Sequence, residues 1–442
     1  MADTTIGLVM PVLRALLMDL REAVATETQA ADPLDRRAPL LRLREREGEH
    51  HGANERVNHA AKQDRDGTAN QDREGTANQE RDGAAVGDSS VTLDLTGAVK
   101  GAEGALREWD GVDALTDAVV DTALPVLRAY AAKAGALPDR IRIPGVGDVE
   151  VTPDEGSLAT GLRPSVAGKV VVVTGGAQGF GAEIARGLAR SGAHLVLADL
   201  NIEGARTMAE ELNSMIGRPV AHALKADVSA EDSVAELIHE VAALAGGIDL
   251  FISNAGVLKA GSVKELSVGD FDFVTSVNYK GFFVCSKHAS RLMSIQDRAR
   301  MRAAGAPFFG DIIQINSKSG LDGSNKNGAY AGGKFGGIGL VQSFAKELVE
   351  NHIKVNAICP GNFFDGPLWS DPEKGLFVQY LRAGKVPGAE SVAEVKQFYE
   401  AKVPMGRGCT GPDVVKAILY AVDQRYETGQ AIPVTGGQIM LR

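Results

Sequence analysis

The stretch KVVVVTGGAQGFGAEIARGLARSG, residues 169–192, combines an apolar strand, a glycine-rich turn and a helix. The run from Val170 to Val173 has the continuous apolar character of a strand that is buried on both faces. Beyond the turn, apolar residues recur at the intervals of a helix that packs against a sheet. This order of strand, turn and helix favours an α/β domain built on a parallel sheet.

The same alternation of apolar strands and helical patterns continues to the end of the chain. Further strand-like runs are AHLVLADL, VAHALKADV, IDLFISNAG, DIIQINS, IKVNAICPG and QAIPVTGG, with helical patterns between them. For residues 166–442 we therefore predict an α/β domain of the Rossmann type, which is a doubly wound parallel sheet with helices on both faces. A ligand of such a domain binds at the carboxyl ends of the strands.

The first 165 residues differ in composition from this domain. Leucines recur at helical intervals over residues 1–43, which predicts a helical segment. Residues 44–85 contain one branched aliphatic residue, no aromatic residue and an imperfect octamer repeat (QDRDGTAN, QDREGTAN), so we predict a solvated low-complexity linker. Residues 86–165 are interpreted as a small α/β accessory element, with a helix in VDALTDAVVDTALPVLRAYAAKAG and a hairpin in RIRIPGVGDVEV. The extension is thus expected to be helical and partly disordered.

The composition limits the classes of function. The chain has 442 residues and a formal net charge of −10, which argues against a general nucleic-acid binder. Its three cysteines, Cys285, Cys359 and Cys409, have no metal-ligand spacing, so we expect no metal and a reducing compartment, as for a cytoplasmic protein. No run is apolar enough to span a bilayer, and we expect no membrane partner.

The glycine-rich turn predicts a nucleotide site. Gly175, Gly179 and Gly181 follow the pattern G-x-x-x-G-x-G, which differs from the usual dinucleotide fingerprint G-x-G-x-x-G. The physical argument is the same, because residues without Cβ let the backbone approach a pyrophosphate and the following helix offers unpaired N–H groups. Asp199, near the end of the next strand, is expected to accept hydrogen bonds from the ribose hydroxyls of NAD and to repel the 2′-phosphate of NADP.

Other candidate cofactor contacts belong to the same turn or follow predicted strands. Because the carboxyl ends of parallel strands meet at one edge of the sheet, these residues are expected to lie together. They are Gln178, Phe180, Asp227, Val228, Asn254, Ala255 and Gly256.

The stretch SKSGLDGSNKNGAYAGGK, residues 317–334, carries a serine, a tyrosine and a lysine among glycines. Ser317 is expected to end a strand, and Tyr330 and Lys334 to share one face at the start of a helix. A free tyrosine has a pKa near 10 and is a poor base at neutral pH. A lysine cation about 4 Å away favours the phenolate by roughly 4 kcal/mol, so the sequence predicts a pKa of Tyr330 lowered towards neutrality.

These motifs resemble the short-chain dehydrogenase/reductase family, from about Ser165 to the end of the chain. The residues that carry the resemblance are Gly175, Gly179 and Gly181, the N-A-G run 254–256, Asn278 in SVNYKG, Ser317 thirteen residues before Tyr330, the Y-x-x-x-K pair of Tyr330 and Lys334, and the CPG run 359–361. The first 165 residues have no counterpart in a minimal member of that family.

The resemblance implies a role for each of these side chains. Tyr330 would be the acid/base, Ser317 would hold the substrate oxygen, Lys334 would bind the nicotinamide ribose, and Asn278 would position a water in a proton relay. The resemblance also implies that Pro360, Gly361, Tyr330 and Lys334 contact the cofactor. Members often carry a threonine after the proline-glycine turn, where it contacts the carboxamide. This chain reads PGNFFDGPLW there, so the source of that contact is open.

The resemblance also bears on the substrate and on assembly. The runs IIQINSKSG, KVPMGRGC and TGQAIPVTGGQIM are similar to those of members that act on polyol phosphates. This implies an NAD-dependent oxidoreductase that interconverts a secondary alcohol and a ketone on a polyol or sugar phosphate. It also implies a homo-oligomer, a dimer or tetramer that packs the helix after Tyr330 against its copy.

Several lysines could supply the cations that a phosphate needs. Lys259, Lys318 and Lys326 are expected near the mouth of the site, although each is equally well explained as an ordinary solvated lysine. Asn362 is a further candidate substrate contact, and with Phe363 and Trp369 it is expected to form a lid.

Three alternatives stay open at this point. The substrate could be an unphosphorylated sugar alcohol or another small secondary alcohol. The chain could be a non-catalytic regulatory protein that senses NAD, although Tyr330 and Lys334 are both present. The N-terminal region could also have the main role, as a partner-binding segment.

Overall fold

The computed structural model of the protein describes residues 2–27, 40–44, 89–100, 102–152, 165–373, 375–382, 384 and 386–440. The predicted linker lies outside the described residues, apart from Arg44. No helix in the described part of the chain has the length and apolarity that crossing a bilayer requires.

The described elements before residue 153 are called here the N-terminal module. They are α1 (Ala2–Glu27), β1 (Leu40–Arg44), β2 (Ser90–Thr92), α2 (Ala102–Glu108), α3 (Val112–Ala134), β3 (Arg140–Ile143) and β4 (Gly147–Thr152). The strands form a sheet in the order β1-β4-β3-β2. The predicted hairpin is confirmed by the antiparallel pairing of β3 and β4. The prediction of helix throughout residues 1–43 is wrong at its end, because Leu40–Arg44 pair with β4 as a strand.

The rest of the described chain is built on a second, parallel sheet. Its strands are β5 (Val170–Thr174), β6 (His194–Asp199), β7 (Ala221–Lys225), β8 (Leu250–Ser253), β9 (Gly310–Ile315), β10 (Ile353–Pro360) and β11 (Ala431–Val434). Their order is β11-β10-β9-β8-β5-β6-β7, and all neighbours are parallel. The predicted fold class is confirmed. The strand order reverses between β5 and β8, which is where a doubly wound sheet binds its ligand.

Helices cover both faces of this sheet. They are α4 (Gly179–Arg190), α5 (Ile202–Ile216), α6 (Glu231–Ala245), α7 (Val268–Thr275), α8 (Gly281–Ala304), α9 (Gly328–Leu348), α10 (Pro367–Ser370), α11 (Leu376–Arg382), α12 (Val392–Ala401) and α13 (Gly411–Asp423). One apolar layer packs α4, α5 and α13 against the sheet, and a second packs α6, α8 and α9 against the opposite face. The strands are buried on both faces, which explains their continuous apolar sequences.

The N-terminal module packs on α6 and α8. Ile295 and Ala299 of α8 are buried in the same apolar cluster as Leu13 and Leu16 of α1. The fully buried Arg14 of α1 lies at the start of β8. The module and the parallel sheet are therefore in contact through a shared core.

Ion pairs join α3 to α8 alongside this core. Arg298 lies 3.0 Å from Asp113 and 2.7 Å from Asp117, and Arg302 lies 2.6 Å from Asp121. The three aspartates are spaced four residues apart, so they form one stripe along α3. The two helices are thus held side by side by charge as well as by apolar packing.

Candidate active site

Two glycines of the turn between β5 and α4, Gly175 and Gly181, are packed too tightly for side chains. A Cβ on Gly181 would collide with the carbonyl oxygen of Gly175, and one on Gly175 would lie 2.9 Å from the Cα of Ala255. Gly175 and Gly179 also have left-handed backbone conformations, with φ of 65° and 60°. Gln178 makes no side-chain cap at the start of α4, so the first N–H groups of the helix remain available to an anion.

Asp199 lies beside this turn as the last residue of β6. Its Oδ2 accepts a hydrogen bond from the N–H of Ala177 at 3.0 Å, and its Oδ1 accepts one from the N–H of Asn201 at 2.9 Å. The N-cap of α5 is Asn201, so capping of that helix does not account for Asp199. Each carboxylate oxygen retains a lone pair that could accept a ribose hydroxyl.

The ends of β7 and β8 bring further predicted contacts to the same edge. The Oδ1 of Asp227 accepts a hydrogen bond from the N–H of Ser229 at 2.9 Å. The Nδ2 of Asn254 donates to the carbonyl oxygens of Thr174 at 2.9 Å and Gly175 at 3.1 Å. Asn254 therefore fixes the conformation of the glycine turn. Val228 and Ala255 are the next residues at these two strand ends.

Asn278 is buried in a π-helical turn, Ser276–Lys280, between α7 and α8. Its Nδ2 donates to the carbonyl of Val257 at 2.8 Å, and its Oδ1 accepts from the N–H of Val257 at 2.8 Å. A Cβ on Gly256 would lie 3.3 Å from this Oδ1 and 4.0 Å from the Nζ of Lys334. Asn278 and Lys334 therefore approach the same glycine at the end of β8.

Ser317, Tyr330 and Lys334 meet at the end of β9. Ser317 lies two residues beyond the strand, where it caps a short 3₁₀ turn and accepts a hydrogen bond from the N–H of Ser319 at 3.1 Å. Tyr330 and Lys334 lie in the first turns of α9, as predicted. The Nζ of Lys334 donates to the carbonyl of Ile315 at 2.8 Å and lies 5.5 Å from the centre of the Tyr330 ring.

The titration of this cluster differs from the sequence prediction. Burial raises the pKa of Tyr330 in the chain by itself, although a hydrogen bond with Ser317 acts in the opposite direction. Burial also lowers the pKa of Lys334 to about 8. The predicted direction for Tyr330 is therefore wrong for the chain alone, because desolvation of the phenolate has the largest effect on its pKa.

The three candidate substrate lysines differ in their surroundings. Lys259 lies 3.8 Å from Asp270 in an exposed ion pair. Lys326 is exposed and has a left-handed φ of 55°, and its carbonyl accepts a hydrogen bond from the N–H of Gly261. Lys318 directly follows Ser317 and is half-buried, and burial lowers its pKa. Of the three, Lys318 therefore has the strongest physical reason to bind an anion.

The proline-glycine turn at the end of β10 leads into the predicted lid. The N–H of Gly361 donates to the carbonyl of Val434, and the carbonyl of Asn362 accepts from the N–H of Cys409 at 2.8 Å. The described residues of 364–403, called the lid segment or lid from here on, include α10, α11 and α12 and have their own apolar cluster, the lid cluster. Its aromatic members are Phe364, Trp369, Phe377, Tyr380 and Tyr399.

The sequence analysis missed two side chains that hold the site together. The Oγ1 of Thr174 accepts hydrogen bonds from the N–H groups of Asn254 at 3.0 Å and Ala255 at 3.1 Å. Asn316 donates to the carbonyl of Lys334 at 2.9 Å and accepts from the N–H of Ser317 at 2.8 Å. Each precedes a predicted motif by one residue, but Thr174 bonds residues about 80 positions away and Asn316 bonds Lys334 18 positions away.

The donor set at the carboxyl edge of the sheet fits a dinucleotide. The glycine turn leaves no room for side chains at Gly175 and Gly181, the start of α4 presents N–H groups, and Asp199 presents acceptors at the expected spacing. Within the described residues, no group of three or more His, Cys, Asp or Glu side chains could hold a metal ion.

The fold and motifs can now be compared with known proteins. A family profile described as short chain dehydrogenase matches residues 169–369. Sorbitol-6-phosphate 2-dehydrogenase of Escherichia coli (strain K12) is 38% identical over 275 residues, which make up 62% of this chain and 99% of that enzyme. The chain belongs to the short-chain dehydrogenase/reductase family. It is therefore an oxidoreductase of the type that acts on CH–OH groups.

Two further members of the family have similar coverage. The 3-oxoacyl-[acyl-carrier-protein] reductase FabG of Aquifex aeolicus (strain VF5) is 30% identical over 272 residues, which are 61% of this chain and 97% of that protein. The crystal structure of sorbitol-6-phosphate 2-dehydrogenase from Erwinia amylovora superimposes with a TM-score of 0.55 at 38% identity and covers 62% of this chain and 100% of that one. These short-chain dehydrogenases match over nearly their whole length, whereas more than a third of this chain lies outside each match.

Proposed function

We propose that this short-chain dehydrogenase uses NAD to interconvert a secondary alcohol and a ketone on a polyol or sugar phosphate, of the sorbitol 6-phosphate and fructose 6-phosphate type. One observation carries the proposal. Ser317, Tyr330, Lys334 and Asn278 converge beside the glycine turn in a chain that is 38% identical to a sorbitol-6-phosphate 2-dehydrogenase over 99% of that enzyme.

The four side chains can divide the proton chemistry between them. Ser317 holds the substrate oxygen by a hydrogen bond, and Tyr330 accepts the hydroxyl proton in oxidation and returns it in reduction. Lys334 keeps a positive charge beside the phenol, while Asn278 is held rigidly by Val257 near Lys334 and can orient a water. NAD supplies the hydride acceptor when it is bound.

We further propose that NAD is preferred over NADP. The Asp199 carboxylate lies beside the glycine turn, where it can accept both ribose hydroxyls. The same negative charge would repel a 2′-phosphate, because like charges in contact are unfavourable.

The positive charge of Lys318 supports a phosphorylated substrate. Lys318 is half-buried and directly follows Ser317, so an anion there would meet a cation that water solvates poorly. Asn362 and Lys326 are secondary candidates. The ammonium of Lys259 is already paired with Asp270, so it is less available to a phosphate. This pairing favours the second candidate function, a dehydrogenase of unphosphorylated sugar alcohols.

We also propose a cytoplasmic homo-oligomer. The described thiols Cys285, Cys359 and Cys409 are free and buried, which suits a reducing compartment. In α9 the ring of Phe335 is 48% exposed, and the positions of Gly332 and Gly339 are open enough for a copy of the helix to approach closely.

A steady-state screen tests the proposal. Reduction of fructose 6-phosphate would be followed with NADH and NADPH, and oxidation of sorbitol 6-phosphate and sorbitol with NAD. We expect turnover with NADH and a kcat/KM for sorbitol 6-phosphate at least about tenfold above that for sorbitol, because one charge-assisted contact is worth that much. Equal efficiency would remove the phosphate claim, and no turnover of any polyol phosphate would overturn the function.

A further inference from the structure

Two aromatic side chains from distant parts of the chain stack at the carboxyl edge of the sheet. Phe180 lies between Gly179 and Gly181 at the start of α4, and Phe363 follows the proline-glycine turn after β10. Their ring centres are 4.4 Å apart and their planes differ by 16°. Stacked aromatic pairs stabilise a contact beyond the area that they bury.

The topology of the sheet gives this stack a functional position. β8 and β9 lie between β5 and β10, so the two turns start about 14 Å apart at the usual strand spacing. The ends of β8 and β9 carry Asn254 and Ser317. The Phe180–Phe363 pair therefore bridges the turns on either side of the two strand ends that carry these residues.

The backbone that follows Phe363 packs against its ring. The carbonyl of Phe363 accepts a hydrogen bond from the N–H of Gly366 at 3.1 Å, and a Cβ on Gly366 would lie 2.5 Å from the Phe363 ring. The next residue, Phe364, is buried in the lid cluster, with its ring centre 5.0 Å from that of Trp369. Residues 363 and 364 thus connect the glycine turn to the aromatic core of the lid.

We propose that Phe363 is a positioning residue that latches the lid to the glycine turn by stacking on Phe180. The latch encloses the nicotinamide end of the bound dinucleotide with apolar rings, at the place where many family members use a threonine. The inference rests on the proposed use of a nicotinamide dinucleotide, but it does not depend on which alcohol is the substrate.

The test compares two ligands that share the adenosine diphosphate ribose part. Affinity for NADH would be measured by the fluorescence of the reduced nicotinamide, and affinity for ADP-ribose by its competition with NADH. We expect Phe363→Ala to weaken NADH binding about two- to tenfold, which is the range for loss of an aromatic pair, and to leave ADP-ribose binding unchanged. Phe363→Tyr should bind NADH like the wild type, because a stacked ring is retained.

A double-mutant cycle that combines Phe180→Ala with Phe363→Ala tests whether the two rings act as a stacked pair or independently. If the rings act as a pair, the double variant binds NADH no more weakly than the weaker single variant. The control is Phe398→Ala, which removes a lid ring that contacts Tyr399 and Lys402 and should leave NADH affinity unchanged. Equal loss of NADH and ADP-ribose binding, unchanged NADH binding in Phe363→Ala, or strictly additive effects would each overturn the latch. A failure of the polyol-phosphate screen would leave these binding results unaffected.

Discussion

Arg14 and Asp249 form a buried ion pair across 235 residues of sequence, with 2.6 Å between Nη2 and Oδ2. Arg14 belongs to α1 of the N-terminal module and has no exposed surface, and Asp249 precedes β8 of the parallel sheet. The Oδ2 of Asp249 also accepts a hydrogen bond from the N–H of Val170 at 2.7 Å. One carboxylate therefore joins the module to two central strands.

We expect Arg14→Met to lower the free energy of unfolding by about 3 to 5 kcal/mol, because it leaves a buried carboxylate without its partner. Denaturant unfolding of the full chain would measure this loss. The double change Arg14→Met with Asp249→Asn should recover much of it, since no charge is then left unpaired. As a control, Arg206→Met removes the exposed pair of Arg206 with Glu203 and should change stability little. A loss in Arg14→Met no larger than that of the control would contradict the structural role of the pair.

The Arg14–Asp249 pair also predicts how the free energy of unfolding depends on pH. Burial alone would raise the pKa of the Asp249 carboxyl, but Arg14, Lys169 and the N–H of Val170 hold it below its usual range. Its contribution to stability is therefore present above the unfolded pKa near 4 and is lost as the pH falls through the lower folded value. Below pH 4 we expect the stability difference between the wild type and Asp249→Asn to shrink. A difference that stays constant down to pH 2 would show that the carboxyl is not ionised in the fold.

Tyr330→Phe is expected to reduce turnover by about 10²- to 10⁴-fold, because the acid/base group is removed. Affinity for NADH should stay close to that of the wild type, because the ring that lies beside Lys334 is retained. Steady-state rates and fluorescence titration would be measured on the same preparation. A variant that keeps the wild-type rate would exclude Tyr330 as the acid/base.

The raised pKa of Tyr330 makes a separate prediction for the chain by itself. The ultraviolet difference between wild type and Tyr330→Phe isolates this phenol from the other tyrosines. Without dinucleotide we expect it to ionise above pH 10, since burial disfavours the phenolate. With NAD⁺ added, the positive nicotinamide should move the ionisation to lower pH. Ionisation near neutrality without NAD⁺ would mean that Lys334 already outweighs burial.

Asp199→Asn is expected to weaken the preference for NAD over NADP by about tenfold or more, because the charge that repels the 2′-phosphate is removed. The amide oxygen can still accept the hydrogen bond from Ala177, which lies 3.0 Å from Oδ2. The ratio of kcat/KM for the two dinucleotides is the measurement. An unchanged ratio would assign the preference to other groups.

Lys318→Met should raise the KM for a phosphorylated substrate about tenfold or more and leave the KM for an unphosphorylated polyol unchanged. The matched control is Lys416→Met, because Lys416 is exposed on α13. Equal effects on both substrates would show that Lys318 supports the shape of the site, and no effect on either would remove it from the substrate contacts.

Local sequence was enough to predict the parallel sheet and the places of the main motifs. The apolar strand before Gly175 and the four-residue spacing of Tyr330 and Lys334 are short-range signals that the fold retains. The run LLRLR at residues 40–44 was misassigned because a leucine-rich pentamer fits either period, and only its pairing with β4 decides.

Contacts between distant residues could not be predicted in this way. The Arg14–Asp249 pair and the Phe180–Phe363 stack depend on the three-dimensional position of their partners. The direction of the Tyr330 pKa was also missed, because the sequence gives the distance between charges but not the extent of burial.

The 24 residues of α8 make a rod about 36 Å long. One end continues from the turn that holds Asn278, and the other carries Arg298 and Arg302 against α3. The boundary near residue 165 therefore separates two regions of sequence, but the two regions share a packed interface in the folded chain. Expression of residues 166–442 alone would expose the face of α8 that the N-terminal module covers, including Ile295 and Ala299. That face would need polar substitutions before the catalytic domain could be used by itself.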